Sequence, residues 1–158
     1  MQSVTRFNAF KRNQQKFSMV TCYDYWSAQL IAASDIDSIL VGDSLAVVMH
    51  GFPSTVHATL ELMLPHVAAV ARGAGDKLIV ADMPFMTAST DLSSGVAAAT
   101  RLIQAGAHAV KIEGATCTVQ NVHNDQWVSK KHMNFCSGVI IGRFPGKARA
   151  DNPIKCAG

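Results

Sequence analysis

Four short apolar runs, each ending in or beside an acid, recur between residues 17 and 114: FSMVTCYD (17–24), SILVGDS (38–44), LIVADMP (78–84) and HAVKIEG (108–114). Between them lie segments of helix-forming composition, WSAQLIAASD, TLELMLPHVAAVARGAG and DLSSGVAAATRLIQAGA. Strand, helix and strand at this interval make βαβ units, which dictate a parallel sheet with right-handed crossovers. The pattern predicts an α/β chain with four β/α units, and no internal sequence repeat accompanies it.

Local punctuation supports the reading. Thr90 or Asp91 is placed to cap the third helix, whose Val96, Ala99, Leu102 and Ile103 read as one apolar stripe, and Gly106 suits the left-handed position after its last turn. Pro65 is the misfit: a proline deep in a helix costs about 3 kcal/mol, so the segment from Thr59 is expected either to kink or to begin near Leu64.

With 158 residues, 49% apolar and 16% charged, the chain has material for one core of ordinary domain size. No apolar run approaches the roughly 18 residues of a membrane span, and the opening residues lack a secretory pattern, so a soluble, cytoplasmic protein is expected. The first 23 residues hold Arg6, Lys11, Arg12 and Lys16 and no acid. That is the character of a mitochondrial transit peptide or, more simply, of an amphipathic leading helix. Cys22, Cys117, Cys136 and Cys156 form no C-x-x-C pair, so reduced thiols are expected; a zinc set of Cys117, His123, His132 and Cys136 would match no familiar spacing.

Charge divides the chain. Residues 1–115 carry eight Lys/Arg against nine Asp/Glu, whereas residues 116–158 carry six against two. The second part has one apolar run, GVII, and a Gly/Pro/Lys/Arg-rich end without helical period. We therefore read 1–115 as a partial barrel with a leading helix and 116–158 as a divergent, irregular tail. Its basic KARADNPIK end reads as a solvated tail, and neither a nucleic-acid nor a membrane partner is expected.

Asp24, Asp43, Asp82 and Glu113 all fall at carboxyl ends of expected strands, the edge where parallel α/β proteins build their sites from loops. For Asp24 alone, capping the next helix is the simpler expectation. Asp43, Asp82 and Glu113 together are harder to explain so, because like charges on one rim repel unless a cation holds them. A hard divalent ion with oxygen ligands, Mg²⁺ most simply, would resolve that repulsion. Lys111 lies two residues before Glu113, on the same face of its strand. Its ammonium is equally suited to a structural ion pair or to a substrate carboxylate.

The motifs TCYDYWSAQL, SILVGDSL, GFPSTVHATLELM, HVAAVARGAGDKLIVADMPFM and RLIQAGAHAVKIEGA, in this order and spacing, closely resemble the ketopantoate hydroxymethyltransferase family from about Phe17 to Ala115. KRNQQKF also looks like that family's leading helix. The resemblance implies a (β/α)₈ barrel of which this chain holds about the first four units. It further implies transfer of a hydroxymethyl group from 5,10-methylenetetrahydrofolate to 3-methyl-2-oxobutanoate, giving 2-dehydropantoate, with Mg²⁺ and in a homo-oligomer. Carried over by position, Asp43, Asp82 and Glu113 would bind the metal; Asp43, Ser44, Asp82 and Lys111 would bind the 2-oxo acid.

The sequence also departs from the family. The family's general base is a glutamate on a later strand, yet no glutamate follows Glu113, and the only later acids are Asp125 and Asp151. Eight β/α units need about 250 residues. Ala46 stands where the family usually has glycine after VGDSL. Two expectations follow: an active transferase completed by another copy or fragment, or a truncated, non-catalytic fragment. A further alternative is a Mg²⁺-dependent 2-oxo acid lyase or mutase of the phosphoenolpyruvate mutase and isocitrate lyase group, which shares VKIEG and ADMPF loosely.

Overall fold

The computed structural model describes residues 10, 12–85, 87, 92–113 and 137–140, with the backbone alone at 92, 113 and 137–140. In chain order the elements are β1 (Met19–Thr21), α1 (Tyr25–Ala32), β2 (Ser38–Val41), α2 (Leu45–Val48), a 3-10 turn (Thr55–His57), α3 (Leu60–Gly73), β3 (Leu78–Asp82), α4 (Leu92–Gln104), β4 (Ala109–Glu113) and β5 (Ser137–Ile140). The leading segment before Phe10, Thr90, Asp91, Cys117, His123, Asp125, His132 and Asp151 lie outside the described residues.

β1 to β4 lie side by side in chain order and pair in parallel. This is the four-unit α/β pattern expected, in the (β/α)₈ barrel class. β2 and β3 are nearly or wholly buried, as parallel strands covered on both faces must be, and read as continuous β-branched and aliphatic runs for that reason. On one face, Ile39, Val41, Ile79, Ala81 and Val110 pack against Met63, Val67 and Val70 of α3 and Leu102 of α4. On the other, Leu78, Val80 and Ala109 form a small cluster with Leu40. Along β3 this second face ends in Asp82, because alternate side chains share a side.

Three local expectations change. α3 begins at Leu60, not near Leu64: Thr59 caps it by accepting the Leu62 N–H, and Pro65 sits within the helix on an exposed side. On α4 the buried residues are Ala98 and Leu102, one turn apart, flanked by Ala99 and Ile103, while Val96 is exposed. The run VAAAT offers small residues on every side, so the sequence leaves the phase of the stripe poorly fixed. In the tail, Ser137–Ile140 is a strand paired antiparallel to β4, with Lys111 opposite Val139. The outer edge of β4 is thus covered by the chain itself.

Two glycines set the spacing. A Cβ on Gly73 would lie 2.5 Å from the Tyr25 carbonyl oxygen and 3.0 Å from Ala28 Cβ, so glycine is what lets α1 and α3 touch. Gly106 has φ of 115°, the glycine-favouring region expected after α4.

Candidate active site at the strand ends

Asp24, which follows β1, is turned to helix capping. Its carboxylate accepts the Ser27 backbone N–H at 2.8 Å and the Ser27 hydroxyl at 2.7 Å, closing the N-terminus of α1. These bonds, the Ser27 N–H first, hold its carboxyl below the usual value. The simpler expectation for Asp24 holds.

Asp82 and Lys111 form the centre of the site. They are register partners on adjacent parallel strands, so their side chains emerge next to each other. Lys111 Nζ lies 2.7 Å from Asp82 Oδ1, with the two side chains 19% and 6% exposed. The contact is a close ion pair, at a distance where the ammonium charge falls directly on the buried Oδ1. The other oxygen, Oδ2, accepts the Asp43 backbone N–H at 3.3 Å. Burial pushes the Asp82 carboxyl above its usual value and the negative charge of Asp43 adds to that, while Lys111 opposes both. The charge at the end of the LIVAD run is therefore met by a cation on the next strand.

Asp43 and Ser44 form the turn between β2 and α2, and Asp43 is half-buried beside Asp82. Gly42 precedes them for a steric reason. A Cβ there would stand 2.8 Å from Ser44 Oγ and 3.4 Å from Asp82 Oδ2, in the space these two oxygens border. Ser44 Oγ in turn is 2.8 Å from the Tyr23 hydroxyl.

The structure thus brings Asp43, Ser44, Asp82 and Lys111 to one rim. Glu113 is the last residue of β4, and its side chain lies outside the described residues. Among the described residues no three His, Cys, Asp or Glu side chains gather as a metal group. Asp43 and Asp82 supply two carboxylates, and Asp82 Oδ1, which faces Lys111, is a buried hard donor. That donor set fits a hard cation that takes its remaining ligands from a bound oxygen compound and water. Sequence reasoning missed Tyr23, Gly42 and His66, whose Nδ1 is 2.6 Å from the Tyr23 carbonyl oxygen. The one signal for Tyr23 was its place beside Asp24 at a strand end.

A family model described as ketopantoate hydroxymethyltransferase matches residues 2–128, past the Ala115 limit of the motifs. The chain belongs to the ketopantoate hydroxymethyltransferase family. It is 54% identical over 139 residues to a 3-methyl-2-oxobutanoate hydroxymethyltransferase of Coxiella burnetii (strain Dugway 5J108-111), covering 87% of this chain and 49% of that protein. It is 48% identical over 124 residues to the protein of that name from Bdellovibrio bacteriovorus, covering 78% and 47%. The chain spans about half the length of the curated relatives it matches.

Among solved structures it resembles a phosphonopyruvate hydrolase in complex with oxalate and Mg²⁺ (TM-score 0.58, 15% identity, 70% of this chain and 38% of that one). A 2,3-dimethylmalate lyase of the phosphoenolpyruvate mutase and isocitrate lyase superfamily gives TM-score 0.53 at 18% identity, over 70% of this chain and 39% of that one. At such identities the likeness concerns the fold alone. No helix among the described residues is long and apolar enough to cross a membrane.

Proposed function

We propose that this chain carries the 2-oxo acid and metal part of a 3-methyl-2-oxobutanoate hydroxymethyltransferase site. The observation that carries the proposal is the buried Asp82–Lys111 pair beside Asp43 and Ser44, formed by the family's ADMPF, VKIEG and VGDS motifs. In the complete reaction the hydroxymethyl group of 5,10-methylenetetrahydrofolate passes to 3-methyl-2-oxobutanoate, yielding 2-dehydropantoate. In this reading residues 1–115 form the partial barrel and 116–158 a tail, into which the family match extends as far as residue 128 and which adds Ser137–Ile140 to the sheet, in a cytoplasmic homo-oligomer.

Asp43, Asp82 and Glu113 would hold Mg²⁺, which when bound supplies positive charge beside the keto and carboxylate oxygens of the substrate. Lys111 offers its ammonium to the substrate carboxylate, and the partial exposure of its side chain leaves that path open. Ser44 offers its hydroxyl from the β2 turn. Burial raises the Asp82 carboxyl and Lys111 opposes that rise, so the charge on Asp82 tunes how firmly the lysine is held. A neutral acid at position 82 would free Lys111 but give up the anionic donor.

The test is calorimetric binding of 3-methyl-2-oxobutanoate with Mg²⁺ present. Asp43→Asn and Asp82→Asn should weaken it at least tenfold, about 1.4 kcal/mol, and Asp35→Asn should not. Equal losses at all three positions would sink the site assignment. The 158-residue chain alone should show little turnover, because it carries no glutamate after Glu113 to act as base, and a general base typically contributes about 10²–10⁴-fold. Folate-dependent formation of 2-dehydropantoate within about tenfold of an intact relative would overturn that, with Asp125 the first residue to mutate.

A further inference from the structure

We propose that Tyr23 is a positioning residue for the site, fixing the hydroxyl of Ser44 from the end of β1 and held in place by His66 and His50. The inference rests on the reading of Ser44 as a substrate contact.

Ser44 sits at the N-cap of α2, where serine normally spends its hydroxyl on the helix's own N–H groups. Here it makes no such bond. Its Oγ instead meets the Tyr23 hydroxyl at 2.8 Å, across 21 residues of sequence. A serine hydroxyl rotates freely unless a partner fixes it. Tyr23 thereby selects one orientation, above the space left by Gly42 and shared with Asp82 Oδ2.

Tyr23 is itself anchored from behind. A carbonyl oxygen only accepts, so the 2.6 Å contact between His66 Nδ1 and Tyr23 O requires the proton on Nδ1. In neutral His66, Nε2 is then the acceptor, and the 2.9 Å contact with His50 Nε2 is completed by a proton from His50. The two rings meet edge-on at 89°.

His50 lies six residues after Ser44, beyond α2 in the connection from β2 to α3, and both ends of this stretch close onto Tyr23, one on its hydroxyl and one through His66 on its carbonyl. Phe52 of the same connection stacks on His57 with ring centroids 5.1 Å apart, which stiffens the segment that carries His50. The connection that presents Asp43 and Ser44 is therefore tied to the end of β1 at two points.

The experiment is a double-mutant cycle on the full chain, with 3-methyl-2-oxobutanoate and Mg²⁺ as probe and thermal melting as the check of folding. Tyr23→Phe should weaken binding about fivefold, one hydrogen bond's worth, and His66→Ala, which unseats Tyr23 from behind, should do the same. In a Ser44→Ala background both losses should vanish, because nothing remains to position; a general folding role would persist there. Unchanged binding in Tyr23→Phe, or a loss undiminished in Ser44→Ala, overturns the inference while leaving the proposed function standing. Absence of binding by the unaltered chain overturns both.

Discussion

Replacing Lys111 by Met keeps most of its aliphatic stem and removes the cation facing Asp82. Taking one partner from a buried ion pair costs about 3–5 kcal/mol, because a buried charge is left uncompensated. The partial exposure of Lys111 and the Asp43 N–H on Oδ2 place this case at the lower end, about 3 kcal/mol at pH 7. Protonating Asp82 sets a ceiling. From its ordinary pKa of 3.8, holding a proton at pH 7 costs about 4.4 kcal/mol, and at pH 5 about 1.6 kcal/mol. A carboxyl raised by folding binds more protons folded than unfolded between 3.8 and its raised value, so stability falls as pH rises through that window and returns as pH is lowered. Urea unfolding of Lys111→Met should thus show a loss of about 3 kcal/mol at pH 7 and no more than about half of that at pH 5. Adding Asp82→Asn should recover about 1–3 kcal/mol at pH 7 through coupling between contacting residues. A variant as stable as the parent at pH 7, or one whose deficit is the same at pH 5, would refute the buried-pair account.

Other outcomes follow from the same geometry. Asp24→Ala should destabilise by about 1 kcal/mol while Asp24→Asn retains most of the cap; because the Asp24 carboxyl is held low, its contribution is present at neutral pH and is lost as pH falls through and below the usual carboxylate range. Denaturation curves of the two variants at pH 7 and pH 3 read this. Gly73→Ala should cost about 1–3 kcal/mol by pushing a methyl group onto the Tyr25 carbonyl, measured as a lowered urea midpoint at unchanged slope. Gly42→Ala should leave stability closer to the parent and weaken 2-oxo acid binding, since its new methyl falls on Ser44 Oγ; binding as tight as the parent's would count against the space above Gly42 as part of the site.

The parallel order of strands was legible because SILV and LIVAD are apolar without alternation, which only a doubly covered strand tolerates. The capping role of Asp24 was legible because its partner, Ser27, lies three residues away. What escaped was long-range. Strand spacing puts Lys111 on a face, but only the register between β3 and β4 sets it opposite Asp82. The contact of Tyr23 with Ser44 spans 21 residues and that of His66 with Tyr23 spans 43, and no periodicity encodes either. The phase of α4 was misread at Val96 because its alanines are nearly equivalent on all sides.

The antiparallel β5 on the edge of β4 has a kinetic consequence. A β/α barrel continues by adding a parallel strand to β4, and in this chain that position is already taken, with Val110 to Glu113 matched to Ile140 to Ser137. Any chain or fragment that extends the sheet at β4 must first displace β5. Release of a strand is a unimolecular event, so the rate of such complementation would rise with partner concentration only until it meets the opening rate of β5, and then level off. Removing residues 137–140 would lift that plateau.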